Sequence, residues 1–213
     1  ASLRLENGAV VDATGAARIT LEEIGRIATY RPDTLPDGID HSLTVAHHFA
    51  PTGYPFDFTN GIQGSLVEVD VETGLVRILK HWVVEDCGRI INPLLVDEQI
   101  RGGVVQGLGP AFFEECQYDA DGQLTNGSLA DYLVPMACEM PDIEIAHIET
   151  PTGDTILGAK GVGEAGTAAA GAAAMNAVND ALRPFGARLT QTPMTPLRIL
   201  DALDAAREER TDP

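Results

Sequence analysis

One run of the chain, Gly158-Ala159-Lys160-Gly161-Val162-Gly163-Glu164-Ala165-Gly166-Thr167, joins a glycine-rich loop to the start of a helical pattern and carries one carboxylate at the junction. Glycine-rich loops before helices gather backbone N–H groups that hold anions. Gly158 and Gly163 have the spacing of a nucleotide phosphate loop, but the next two positions are Glu164 and Ala165 rather than Lys and Ser/Thr. A carboxylate there repels a triphosphate, so a nucleotide-binding module is disfavoured. Two readings of Glu164 remain: a carboxylate stabilised by the helix dipole, or a general base held by a rigid loop.

A second candidate is Gln106, inside Gly102-Gly103-Val104-Val105-Gln106-Gly107-Leu108-Gly109. Each glycine within a helix costs roughly 1 kcal/mol relative to Ala, so a close approach must offset the loss. That approach is either tight helix–helix packing or a cofactor, with Gln106 donating an amide hydrogen bond. His47 and His48 fall on opposite faces of an expected strand and cannot share a metal. His41 and His81 have no partners at a ligand spacing, and read as core or surface histidines. Cys87, in Asp86-Cys87-Gly88, reads as a structural thiol, because only Arg89 is near enough to lower its pKa.

These residues need elements to position them. Leu3–Val11 reads as two short strands about Glu6-Asn7-Gly8. Thr20 caps a helix running to about Tyr30, with Glu23 completing a capping box. Arg31–Asp40 is a loop, Ser42–Phe49 a strand, and Ala50–Gly64 a further loop. Ser65–Val71 and Leu75–Val84 form a hairpin about Glu72-Thr73-Gly74. Asn92 and Pro93 announce a long helix with an apolar stripe at Ile100, Val104, Leu108 and Phe112. A small, polar face carries Gln99, Gly103, Gln106 and Pro110. Phe113–Tyr118 and Gly127–Val134 read as strands about Asp119–Gly122, and Ile143–Glu149 as another. Glu164–Leu182 is an Ala/Gly helix ended by Pro184, whose neighbour must pack close to its backbone. Pro196–Glu208 is a terminal amphipathic helix. The fold class is α+β, with β-hairpins, a mixed sheet and packed helices.

Composition narrows the partners. The formal net charge is −18, from 14 basic and 32 acidic residues, which disfavours nucleic acid and an anionic membrane surface. No run approaches the length of a transmembrane helix. Cys87, Cys116 and Cys138 are widely spaced, so neither a disulfide framework nor a zinc ribbon is expected. With no signal peptide at its start, the chain is expected in a reducing cytoplasm. Ala1 fits either removal of an initiator Met or a cut within a longer polypeptide.

Several ordered stretches together resemble the molybdenum hydroxylases: xanthine dehydrogenase, aldehyde oxidoreductase and aerobic carbon monoxide dehydrogenase. They are Gly64–Val71, Asp86-Cys87-Gly88-Arg89-Ile90-Ile91-Asn92-Pro93, Gly102–Gly109, Asp131-Tyr132 with Pro135, and Gly158–Gly166. The resemblance runs from about Gly61 to Leu200 and is nearest to carbon-monoxide-dehydrogenase-like large subunits. It implies that residues 61–213 are a C-terminal molybdopterin-binding domain and residues 1–60 continue an upstream region of a longer subunit. Carried over by position, Glu164 is the catalytic base. Gln106 and Gly107 lie near the cofactor, and Lys160, Gly161, Val162 and Gly163 line it. No residue of this chain is implied to ligate the metal.

The implied cofactor is molybdopterin, plain or as the cytosine dinucleotide, carrying Mo. The implied partners are an upstream molybdopterin-binding chain, an iron–sulfur subunit and an FAD subunit. The implied reaction inserts water-derived oxygen at an electrophilic carbon of a small molecule, an N-heterocycle, aldehyde or related substrate. Electrons then leave through [2Fe–2S] clusters to FAD. The alternatives are carbon monoxide dehydrogenase-type oxidation and a non-catalytic scaffold or assembly module.

Overall fold

The computed structural model describes residues 2–50 and 57–211. Contacts divide the chain into two units, Ala1–Ala50 and Pro51–Pro213.

In the first unit, β1 (Arg4–Glu6), β2 (Ala9–Val11) and β3 (Ala17–Thr20) form an antiparallel sheet in that order. Asn7 and Gly8 both have positive φ, the conformation an Asn-Gly hairpin turn requires. Helix α1 (Leu21–Tyr30) follows, and Thr20 Oγ1 accepts from the Glu23 N–H at 3.1 Å. The Glu23 carboxylate turns instead to Arg26, so the box is half formed. Ser42–Phe49, expected as a strand, has no strand geometry. Leu43, Val45 and Phe49 are exposed, and no strand lies beside them among the described residues to take their backbone groups.

In the second unit, β4 (Asn60–Val69) pairs antiparallel with β5 (Val76–Asp86) about the turn Glu72-Thr73-Gly74. Of the loop expected over 50–64, residues 51–56 lie outside the described residues, whereas Asn60–Gly64 belongs to β4. Asn60 and Gly61 suggested a loop, but opposite Asp86 and Glu85 the ladder simply continues through them. Helix α2 (Pro93–Phe112) begins as expected, with Asn92 Oδ1 accepting from the Leu95 N–H. Its stripe, Ile100, Val104 and Leu108, is fully buried.

The next stretch corrects the expectation of two strands. Residues 113–118 and 127–134 are irregular, and the isolated bridge here pairs Tyr118 with Leu124, short of the second stretch. Asn126, nearly buried, accepts from the Gln117 N–H at 2.8 Å and donates to the Glu115 carbonyl at 2.6 Å. A side chain thus satisfies backbone groups that a ladder would otherwise pair. The turn at Asp119–Gly122 is present.

Strand β6 (Asp142–His147) lies parallel to β5, giving the order β4-β5-β6. A parallel neighbour needs a crossover, and α2 lies within it. Helix α3 (Thr167–Leu182) packs on α2 and β4, and α4 (Pro196–Thr211) closes the unit. α3 starts at Thr167 rather than Glu164, so the carboxylate stands on the turn before the helix. Val83, Ile143, Val178, Leu182, Ile199 and Leu203 belong to one core. Among the described residues, no helix is long and apolar enough to cross a membrane.

Candidate active site

Strand β5 supplies the floor. Strand alternation puts His81, Val83 and Glu85 on one inward face, and all three are buried. The next residues seat the glycine-rich loop. Asp86 Oδ1 accepts from the N–H groups of Thr150 and Gly88, at 3.0 and 2.9 Å, and faces Lys160 Nζ at 3.2 Å. The bonds from Thr150, then Gly88, and the Lys160 ammonium hold this carboxyl well below the usual carboxylate range. Lys160 N–H donates to the Cys87 carbonyl at 2.8 Å and Arg89 N–H to the Gly158 carbonyl at 3.0 Å. Gly88 has φ +68°, and a Cβ there would meet the Gly158 carbonyl, so only glycine fits. The Cys87 thiol is buried and its pKa is pushed up by that burial, which leaves it a structural group.

Beyond Lys160 the loop rises to the surface. Gly161 and Gly163 are exposed, and a Cβ at either would meet only open space. Gln99 Nε2 on α2 donates to the Gly163 carbonyl at 2.7 Å. The turn closes with Ala165 N–H on the Val162 carbonyl and Thr167 N–H on the Glu164 carbonyl. Gly166 then fits against the Ile100 and Val104 backbone of α2, and Gly103 lies equally close to Gly166 and Thr167. Gly107 rests on Ala170 and Thr167 one turn later. Close helix packing is the benefit that offsets glycine at these positions.

These walls enclose a cavity of about 460 Å³, lined among others by Thr59, Gly61, Glu85, Gly161, Gly163 and Glu164. Glu164 is exposed at its rim, and the chain holds it through the backbone of its turn. Glu85 is only 2 % exposed, and its carboxyl occupies the space above Gly61 that any larger residue would fill. Burial pushes its pKa up to about 7, against a hydrogen bond from Gln63 and the charge of His147. One acid of the cavity is therefore solvated and the other is half protonated near neutrality.

The structure brings Glu164, Gly161 and Gly163 to one cavity. Lys160 and Val162 line a second depression of about 380 Å³ with Asn92 and Gln99. Gln106 is exposed on α2 and, with Gly107, lies outside the lining of both. Glu85 was missed as a candidate, as was Gln63, which fell in the expected loop. The available signal was parity: two residues from Val83, on a strand with one wet face, a carboxylate points inward. Among the described residues no group of acids, cysteines or histidines could hold a metal by itself.

The family model "Molybdopterin cofactor-binding domain" matches residues 1–141. The large subunit of nicotine 6-hydroxylase from Paenarthrobacter nicotinovorans is 42% identical over 199 residues, 93% of this chain and 24% of that protein. The large chain of carbon monoxide dehydrogenase from Hydrogenophaga pseudoflava is 32% identical over 184 residues, 86% of this chain and 22% of that one. Among solved structures, quinoline 2-oxidoreductase from Pseudomonas putida 86 aligns with a TM-score of 0.79 at 36% identity, covering 95% of this chain and 26% of that one. The chain thus spans about a quarter of the length of these relatives.

Proposed function

The chain belongs to the molybdopterin-binding family of molybdenum hydroxylases, and from that premise we propose that it supplies Glu164 as the general base of a multi-subunit molybdenum-dependent hydroxylase. The observation that carries this reading is the shared cavity: a carboxylate, two open glycines and a buried acid face the same space.

The residues present fit such a cofactor. Gly161 and Gly163 leave their backbone bare where a side chain would stand, so a large polar group can approach the loop closely. Lys160 is turned to Asp86, so the loop offers backbone rather than an ammonium. Gln106, exposed on α2, is free to face a cofactor carried by another part of the assembly. Molybdopterin, including its cytosine dinucleotide form, would supply the metal that oxidises the substrate and passes its electrons on. Glu164 accepts the proton released as water-derived oxygen is transferred, and the rigid turn holds its backbone while that happens. Glu85, where protonated, offers a hydrogen-bond donor to a neutral ligand in the cavity.

N-heteroaromatic substrates are the favoured class, because the relatives at 42% and 36% identity are named for nicotine and quinoline. Aldehydes and carbon monoxide-type oxidation are the alternatives. The partners in this reading are an upstream molybdopterin-binding chain, an iron–sulfur subunit and an FAD subunit, working in a reducing cytoplasm where the free cysteines persist.

Glu164→Gln in the assembled enzyme tests the reading. Turnover should fall by about 10² to 10⁴-fold, the usual worth of a positioned acid or base, with molybdenum content unchanged. Wild-type turnover in that variant would refute it and leave a non-catalytic scaffold.

A further inference from the structure

Glu164 is exposed, so its direction is set by the backbone that follows it rather than by packing around its own side chain. That backbone is gripped from two sides. On the α2 side, Gly166 lies against Ile100 and Val104, and Thr167 Oγ1 donates to the Gly103 carbonyl at 3.0 Å. On the sheet side, Gln63 Nε2 on β4 reaches the carbonyls of Gly166 and Ala165, at 3.0 and 3.4 Å.

The Gln63 contact is the end of a chain. Gln63 Oε1 lies 3.0 Å from His81 Nε2, and His81 Nδ1 lies 2.8 Å from Ser65 Oγ. Its polarity has one solution. Backbone carbonyls only accept, so the Gln63 amide nitrogen must face Ala165 and Gly166, and its oxygen must face His81. His81 Nε2 then carries the proton, and Nδ1 accepts from the Ser65 hydroxyl. Burial lowers the His81 pKa and keeps the ring neutral, as this arrangement requires. His81 is fully buried, so no water substitutes for either bond. Cross-strand pairing places Ser65 opposite His81.

We propose that Ser65, His81 and Gln63 form a positioning relay that fixes the Ala165–Gly166 backbone and thereby the direction of Glu164. None of the three is a catalytic residue. The catalytic consequence rests on the reading of Glu164 as base, while the structural consequence rests on the geometry alone.

The test uses the assembled enzyme carrying Gln63→Leu, His81→Phe, His81→Gln or Ser65→Ala. It reads backbone amide exchange over residues 163–168, steady-state kinetics and molybdenum content. Losing one hydrogen bond to a buried carbonyl should raise local exchange about tenfold in Gln63→Leu, with α3 beyond Ala170 unchanged. In the same variant kcat should drop about 10 to 100-fold, with KM within about threefold and full molybdenum content. His81→Phe should act in the same sense and more weakly. His81→Gln, which keeps a donor toward Gln63, should recover most of the loss. Ser65→Ala removes one hydroxyl, and a rise of about threefold in exchange is expected even if the larger changes prevent folding.

Unchanged exchange over 163–168 in Gln63→Leu and Ser65→Ala overturns the relay. So does equal damage from His81→Gln and His81→Phe together with faster exchange throughout α3. If the loop loosens in Gln63→Leu but Glu164→Gln keeps full turnover, the relay stands and the assignment of Glu164 as base falls.

Discussion

The two walls of the cavity hold their acids by opposite means. The loop wall presents Glu164 on a turn held through its backbone carbonyls by the Gln99 and Gln63 side chains and by the close fit of Gly166 on α2. The strand wall presents Glu85 from β5, beside buried Val83 and His81. The first acid is solvated and placed by its surroundings at a distance. The second has its pKa raised to about 7 by burial. A proton acceptor suits the first environment, and a neutral hydrogen-bond donor suits the second.

Three changes bear on that contrast. The largest effect is expected from Gly166→Ala. Gly166 stands at the N-cap of α3, a position where Gly is already preferred over Ala, and the new methyl meets the Ile100 carbonyl and the Val104 backbone N–H, which cannot move aside. A net loss of about 2–3 kcal/mol should appear as a lower urea midpoint. A neutral or stabilising result would mean that α2 does not grip the loop.

Glu85→Gln should have a smaller, pH-dependent effect. The folded chain binds the Glu85 proton up to a pKa of about 7, and the ordinary value is 4.5. Between these values the native state holds more protons than the unfolded one, so this group's contribution is fully present below about 4.5. It is lost as pH rises towards and through 7, at up to about 1.4 kcal/mol per pH unit. Gln removes that slope. Urea midpoints of the two proteins should therefore converge, or reverse in favour of Gln, between pH 5 and pH 8. Parallel profiles would contradict the buried acid.

The smallest effect is expected from Glu164→Gln on stability, within about 0.5 kcal/mol at pH 7, because the side chain is exposed. A shift of several degrees in melting temperature would show that Glu164 supports the fold and erase the contrast with Glu85.

Legibility in the sequence followed the range of the interactions. Thr20, Asn92-Pro93 and Asn7-Gly8 act within a few residues, so the caps and the turn were readable and are present. The 113–134 stretch was misread because its backbone is satisfied by Asn126, nine residues from Gln117 and eleven from Glu115, which no periodicity reveals. Asn60–Gly64 was misread because Asn60 and Gly61 suggested a loop, while the strand facing it decided otherwise. Asp86–Arg89 was recognisable as a motif, yet its work, seating Gly158 and Lys160, lies some seventy residues away along the chain.

The sequence by itself determined the α+β class, the principal helices with their caps, and the glycine-rich turn that carries Glu164. Those depend on φ/ψ preference, capping and apolar period, all local properties. Only the tertiary structure decided that Glu85 shares a cavity with Glu164, that the α2 glycines serve the approach of α3, and that Gln63, backed by His81, reaches Ala165 and Gly166. Those contacts join residues far apart along the chain, 102 positions for Gln63 and Ala165, and burial, which sets the Glu85 pKa, exists only once the sheet and helices have closed over it.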